Sequence, residues 1–300
     1  MIKKFVCAAV ALLLIFTLPG CEGYRETDAC YIVTAVAFDG GENIEISLEV
    51  VSTGGGERRS DAYSEIITGQ GKTPENAMFS LSSKISKILM FDHCTALVLG
   101  ESVKENQLDE IINFARELKE INLSVYVVRC ENARKLLALS KPSAVARGFD
   151  IVGNIRETEK DTGIKYENRF FELFAAYKTG KCYKLPFLAV DEAKIIIEGE
   201  TVYHNTQKKE YLSNEDSLIY SFFINKNSGG KVYFGKEYAD VVNTKFKRRG
   251  KEYTASVKVK NESDGFKKAF SNKCNEFLQK HGKKLGLEAE KAKVKIKGGV

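Results

Sequence analysis

Read for its hydrophobic and polar positions, the chain opens on an unbroken apolar run, residues 5–17, behind Lys3 and Lys4. Past a polar stretch, "ACYIVTAVAFDGGENIEISLEVV" reads as two strands joined at Asp39-Gly40-Gly41, a hairpin signal. "STGGGERRSDAYS" follows as a polar, glycine-rich loop. In "GKTPENAMFSLSSKISKILM", Met78, Leu81, Ile85 and Ile88 recur at steps of three and four, which predicts a helix with one inward face. Thr73 suits its N-cap and Pro74 its first position, where a missing N–H costs nothing.

"CTALVLG" is a continuous apolar strand, followed by a helix over about residues 106–120 with Leu108, Ile111, Ala115 and Leu118 on one side. "LSVYVVRC" is another strand and "ENARKLLALS" another helix. That strand–helix alternation predicts crossover connections and parallel pairing. Residues 143–180 read as helical and 181–186 as a link. From residue 187 the grammar changes: strands over 194–198 and 201–204, a helix that Ser213 caps, and strands near Val232, over 238–244 and over 253–259. Phe266, Phe270, Cys274 and Leu278 then mark an amphipathic helix, and "KAKVKIK" closes as an alternating strand. The expectation is an α+β fold of mixed sheets with packed helices in more than one domain: residues 1–20 a signal segment, 21–186 an N-terminal domain, and 187–300 a C-terminal domain.

The opening apolar run is too short for a span. Its 13 residues would reach about 20 Å as a helix, against a hydrocarbon core of about 30 Å. A basic start, a short apolar middle and a small-residue exit form the layout of an export signal. An A-x-A cleavage site is missing, and Leu18-Pro19-Gly20-Cys21 instead resembles a bacterial lipobox. In proteins with that motif the cysteine receives a diacylglyceryl group and becomes the new N-terminus. The alternative is a secreted protein whose Cys21 enters a disulfide.

Composition supports folded domains: 43% hydrophobic and 29% charged residues are incompatible with a disordered chain. Charge is uneven. Residues 231–300 carry 19 Lys or Arg against 8 Asp or Glu, while residues 21–230 sum to −7. An exported protein rarely meets nucleic acid, so that partner is set aside. The basic end, "KFKRRGK" and "KAKVKIK", is read either as a solvated strand face or as a segment near anionic lipid, where each Lys or Arg gains about 1 kcal/mol. Of seven cysteines, Cys30, Cys94, Cys130, Cys182 and Cys274 remain beyond the signal segment and Cys21. No C-x-x-C pair exists, and buried free thiols are expected for Cys94 and Cys130.

Candidate chemistry thins out on inspection. "GQGKT" contains Gly-Lys-Thr, but a phosphate loop needs glycine at position 66, where Ile66 stands, and Pro74 removes an amide donor. "TGGGE" lacks dinucleotide-fingerprint spacing. His93, His204 and His281 lie in separate elements without metal-ligand spacing, and no G-x-S-x-G elbow occurs. Acidic pairs such as Glu117 and Glu120 read as solvated. The expectation is no catalytic residue, no metal and no cofactor beyond the lipid on Cys21.

The order of motifs is similar to that of the Ger(x)C lipoprotein family, the C subunits of spore germination receptors. The resemblance rests on Arg25-Glu26 close behind the cysteine and on Gly71 and Thr73 introducing the first helix. It rests also on His93 before a strand that ends in Gly100-Glu101. "LPFLAVDEAKIIIEGETVYHNTQKKEYLSNEDSLIYSFFINKNSGGKV" follows the family's order of strand, glycine, hairpin, leucine-serine and helix. Glu22-Gly23 stand where the family commonly has Trp-Asp, and the last domain reads as shortened, with one compact helix before the final strand.

The resemblance implies a non-enzymatic, lipid-anchored subunit on the outer leaflet of the spore inner membrane. Its partners would be a multi-pass A subunit and a transporter-like B subunit, and its role receptor assembly and the response to nutrient germinants. A rival from another class is a solute-binding lipoprotein of an ABC importer, which requires two similar crossover lobes around a cleft. A third is a lipid-anchored hydrolase, which lacks its catalytic motif.

Overall fold

The computed structural model describes residues 29–52, 63–118, 121–139 and 146–298, apart from positions 163, 167, 193 and 228. The glycine-rich loop expected after residue 52 lies mostly outside them, as does the whole signal segment. Two sheets organise the chain. The first holds β1 (Cys30–Asp39), β2 (Ile44–Ser52), β3 (Tyr63–Gly71), β4 (Ile88–Met90) and β5 (Ala96–Gly100). It continues with β6 (Tyr126–Cys130), β7 (Cys182–Asp191), β8 (Lys194–His204) and β9 (Gln207–Ser213). Their spatial order is β3-β2-β1-β5-β6-β7-β8-β9, with β4 beside the start of β1. β1, β5, β6 and β7 run parallel, and antiparallel hairpins extend the sheet on both sides.

The parallel centre explains its sequence. Strands covered on both faces lose alternation and become continuously apolar, as in "ALVLG" and "YVVRC", whose residues are all buried. One face packs α1 (Pro74–Ser82), α2 (Glu105–Glu117) and α5 (Phe170–Lys178), through Leu81, Leu108, Ile112 and Phe170. The other packs α3 (Ala133–Leu137) and α4 (Arg147–Thr162), through Leu136, Ile151 and Ile155. The second sheet continues that core. It joins β10 (Gly230–Phe234), β11 (Glu237–Arg249), β12 (Glu252–Glu262) and β13 (Lys291–Gly298) in chain order. The first three form an antiparallel meander, and β13 returns parallel to β12.

α6 (Asn214–Phe223) and α7 (Phe266–Phe277) fill the inner face of the second sheet with aromatic rings. Phe222 meets Phe270 edge-on at 5.0 Å between centroids, and Phe223 meets Tyr253 at 4.9 Å. With no Trp in the chain, phenylalanine supplies this volume. The fold is α+β with mixed sheets, as expected.

Three readings of the sequence change. The helix expected to reach Ile88 stops at Ser82, and Ile88 begins β4. Serines compete with the helix for backbone carbonyls there, and the Ser83 hydroxyl donates to the Ser80 carbonyl at 2.9 Å. Residues 181–186, read as a link, lie almost wholly inside β7. The strands read over 194–198 and 201–204 are one, running through Gly199, where a Cβ would overlap the Leu212 carbonyl. Position 187 therefore falls within β7, and the change of sheet comes only after α6.

Candidate functional site

β5 carries the motif positions to opposite ends of the sheet. His93 lies exposed just before its first residue, while Gly100 ends it and Glu101 follows. Each end opens on a cleft. At the carboxyl ends of β5, β6 and β7 a cleft of about 390 Å³ is lined by Glu101, Cys130, Lys135, Phe187, Val190 and Glu198. At the amino ends a smaller one, about 230 Å³, is lined by His93, Tyr126, Arg156 and Arg169 among others.

Two buried carboxylates cap helices, Asp39 at the carboxyl ends of the parallel strands and Glu49 near their amino ends. Asp39, the last residue of β1, accepts hydrogen bonds from the Ala133 and Arg134 amides at 2.9 Å each, holding the first turn of α3. Glu49 of β2 accepts from the Arg147 amide at 2.7 Å and the Gly148 amide at 2.9 Å, and so caps α4. The Thr34 and Ser64 hydroxyls also donate to it, at 2.8 and 3.1 Å. Anions belong at these positive helix ends. Sequence reading missed both residues. Asp39 passed as a turn residue and Glu49 as an ordinary polar position in an alternating strand. A glycine at the end of a buried strand was the available signal, because Gly100 leaves the space that Asp39 occupies.

The glycines before α1 have a packing role. A Cβ on Gly69 or Gly71 would overlap the α1 backbone around Ala77, so "GQG" lets the helix lie close on β3. Thr73 caps that helix by accepting from the Asn76 amide at 3.3 Å. Glu101 stands half in solvent, 3.5 Å from Lys208. Leu18, Pro19, Gly20, Cys21, Arg25 and Glu26 lie outside the described residues.

The amino-end cleft is cationic. The Arg169 guanidinium stacks 3.5 Å from the centroid of Tyr126 and donates to its hydroxyl at 2.6 Å, with Arg156 at 3.4 Å from the same oxygen. At the other end, burial first and then the Asp39 charge push the Cys130 thiol up to about 12, so it stays protonated and is a poor nucleophile. Burial likewise pushes Cys94 up to about 12. Among the described residues no group of three or more His, Cys, Asp or Glu is placed to hold a metal ion. Nor is any helix among them long and apolar enough to cross a membrane.

Comparison with known proteins places this architecture. The model of the spore germination protein N-terminal domain matches residues 23–190. The chain belongs to this spore germination family. Membership bears out the Ger(x)C resemblance read from the motifs. Spore germination protein KC of Bacillus subtilis (strain 168) is 27% identical over 152 residues, which cover 46% of this chain and 37% of that protein. The chain thus matches little more than a third of that relative's length. The crystal structure of the GerBC protein is 14% identical, with a TM-score of 0.46, over 88% of this chain and 96% of that one. The family match ends inside β7, and the two sheets do not form the pair of similar lobes that a solute-binding importer lipoprotein requires.

Proposed function

We propose that this spore germination family member is a lipid-anchored, non-enzymatic subunit of a germinant receptor complex, held on the outer leaflet of the spore inner membrane. In that position it contributes to receptor assembly and to the response to nutrient germinants, beside a multi-pass A subunit and a transporter-like B subunit. The observation that carries the reading is a juxtaposition in sequence: the family match starts at residue 23, two positions after the lipobox cysteine of "LPGC". With the family match starting at residue 23 and the first described strand at Cys30, acylation of Cys21 would hold this domain close to the bilayer.

The energetics of such an anchor are favourable. One acyl chain gives marginal attachment, at about 0.8 kcal/mol per buried CH₂, and two give a persistent one. Tethering raises the effective concentration of the domain beside membrane partners, so weak surface contacts suffice for assembly. At the carboxyl-end cleft the Cys130 thiol is held protonated by burial, which disfavours it as a nucleophile.

The test is a Cys21→Ala strain, scored for membrane retention of the chain and for germination. Loss from the membrane fraction with an impaired response to at least one germinant is expected. Unaltered fractionation removes the anchor, and unaltered germination after loss of the chain from the membrane removes the receptor role.

A further inference from the structure

The outer face of the second sheet carries an array of lysines. Along β13 the inward residues Ala292 and Val294 are buried, so Lys291, Lys293, Lys295 and Lys297 all point outward. On β11 the same alternation buries Phe246 and turns out Lys245 and Lys247. Register joins these into rows across β12: Lys247 opposite Thr254 opposite Lys293, and Lys245 opposite Ser256 opposite Lys295. Two strand spacings, about 9.6 Å, separate the lysines of a row, and neighbours along a strand are about 6.6 Å apart. Those spacings lie near a Debye length of about 8 Å, so the cations repel one another in the free protein.

Little on the face neutralises them. Glu252 pairs with Lys291 at 3.0 Å and with Lys293 at 3.1 Å. No carboxylate among the described residues lies within ion-pair distance of Lys245, Lys247, Lys295 or Lys297. At the β10–β11 edge of the same face stand Tyr233 and Tyr238, 58% and 45% exposed, as a cross-strand pair with ring centroids 6.2 Å apart. Val242, four positions further along β11, is 40% exposed.

We propose that this open sheet face is a docking surface for an anionic lipid bilayer. A flat pleated face meets a flat surface with many cations at once, and exposed tyrosines suit the headgroup level. Net charge favours this part of the chain: residues 231–300 carry +11 and residues 21–230 carry −7, so a negative surface attracts the former by charge, while the latter would be held there by the lipid on Cys21. A nucleic-acid strand would need aromatic rings among the lysines to stack its bases. Here the central strand offers Thr254 and Ser256 instead, and the tyrosines stand apart at one edge.

The proposal rests on the membrane-surface reading above and deepens it, and its test does not use the acyl anchor on Cys21. Full-length chain carrying Cys21→Ala is floated with vesicles of phosphatidylcholine alone or mixed with phosphatidylglycerol. The apolar leader contributes to both, so the difference between them reads the charge effect. Stronger partition onto the anionic vesicles is expected, falling about 30-fold in Lys293→Gln/Lys295→Gln and disappearing at high salt. Lys245→Gln/Lys247→Gln provides a second variant, and unchanged thermal melting shows that both are folded. An anionic increment undiminished in both variants overturns the proposal. So does release from the vesicles by random single-stranded RNA at matched phosphate concentration. If the increment survives while the Cys21→Ala strain fractionates like wild type, the anchor fails and the sheet face stands.

Discussion

The Asp39 carboxylate occupies the space that a side chain at Gly100 would need. From there it reaches the Ala133 and Arg134 amides, tying the end of β1 across β5 to the start of α3. A methyl group at Gly100 would force the carboxylate off both amides. Gly100→Ala is therefore expected to cost about 3 kcal/mol, the sum of overpacking and lost charge-assisted bonds. Urea unfolding measures it. Gly153→Ala in α4 is the control, because nothing lies within 4 Å of a Cβ there. It should stabilise by about 0.5–1 kcal/mol. Equal behaviour of the two variants would refute the account of Asp39.

Glu49 does for α4 what Asp39 does for α3, across a separation of 98 residues from Arg147. Removing its carboxylate takes this acceptor from the Arg147 and Gly148 amides, while the Thr34 hydroxyl keeps the Glu49 carbonyl at 3.3 Å. Glu49→Ala should cost about 3 kcal/mol or more, and Glu49→Gln roughly half of that, since the amide keeps one accepting oxygen. Amide hydrogen exchange at Arg147 and Gly148 is the direct readout. Faster exchange confined to the first turn of α4 is expected. Unchanged protection there would show that the cap contributes nothing.

These two carboxylates also mark where the sequence stops being legible. Periodicity located α2, α7 and β13, because each repeats at its own period against one core face, and the turn Asp39-Gly40-Gly41 located β1 and β2. Ser213 and Thr73 announced their helices because capping is local, and both accept from an amide three residues on. The helix cap supplied by Glu49 is long-range, and nothing near "EISLEVV" distinguishes a buried acceptor from a solvated glutamate. The reach of β7 was missed for a related reason. "KCYKLPFLAV" contains Pro186 and a charged Lys184, both unusual in a strand inside a sheet. Lys184 is tolerated only because Glu200 of β8 meets it at 2.7 Å in the interior. The lysine array followed from the alternation of "KAKVKIK", but its extension across three strands required the register.

Asp216 joins α6 to the segment after α7 by charge and predicts how the protein responds to acid. It lies in the first turn of α6, where its amide donates to the Ser213 hydroxyl at 3.2 Å. Its carboxylate accepts from Lys280 at 2.9 Å and from His281 Nε2 at 3.2 Å, both from the segment after α7. On the other side of His281 stands Glu210, 3.8 Å from Nδ1 and itself paired with Lys284 at 2.6 Å. Burial pushes the Asp216 carboxyl up, but the bonds from Lys280 and His281 outweigh it and hold the group below its ordinary value. A carboxyl lowered in the folded state adds stability that is complete above the unfolded value, about 3.9, and is lost as pH falls through the folded one. Asp216→Asn should therefore cost about 1 kcal/mol at neutral pH, a figure reduced for the exposure of Lys280. Below the folded value the variant and the wild type should converge. Denaturation midpoints measured across that range decide it, and a difference that stays constant into acid would mean that Asp216 acts by shape and not by charge.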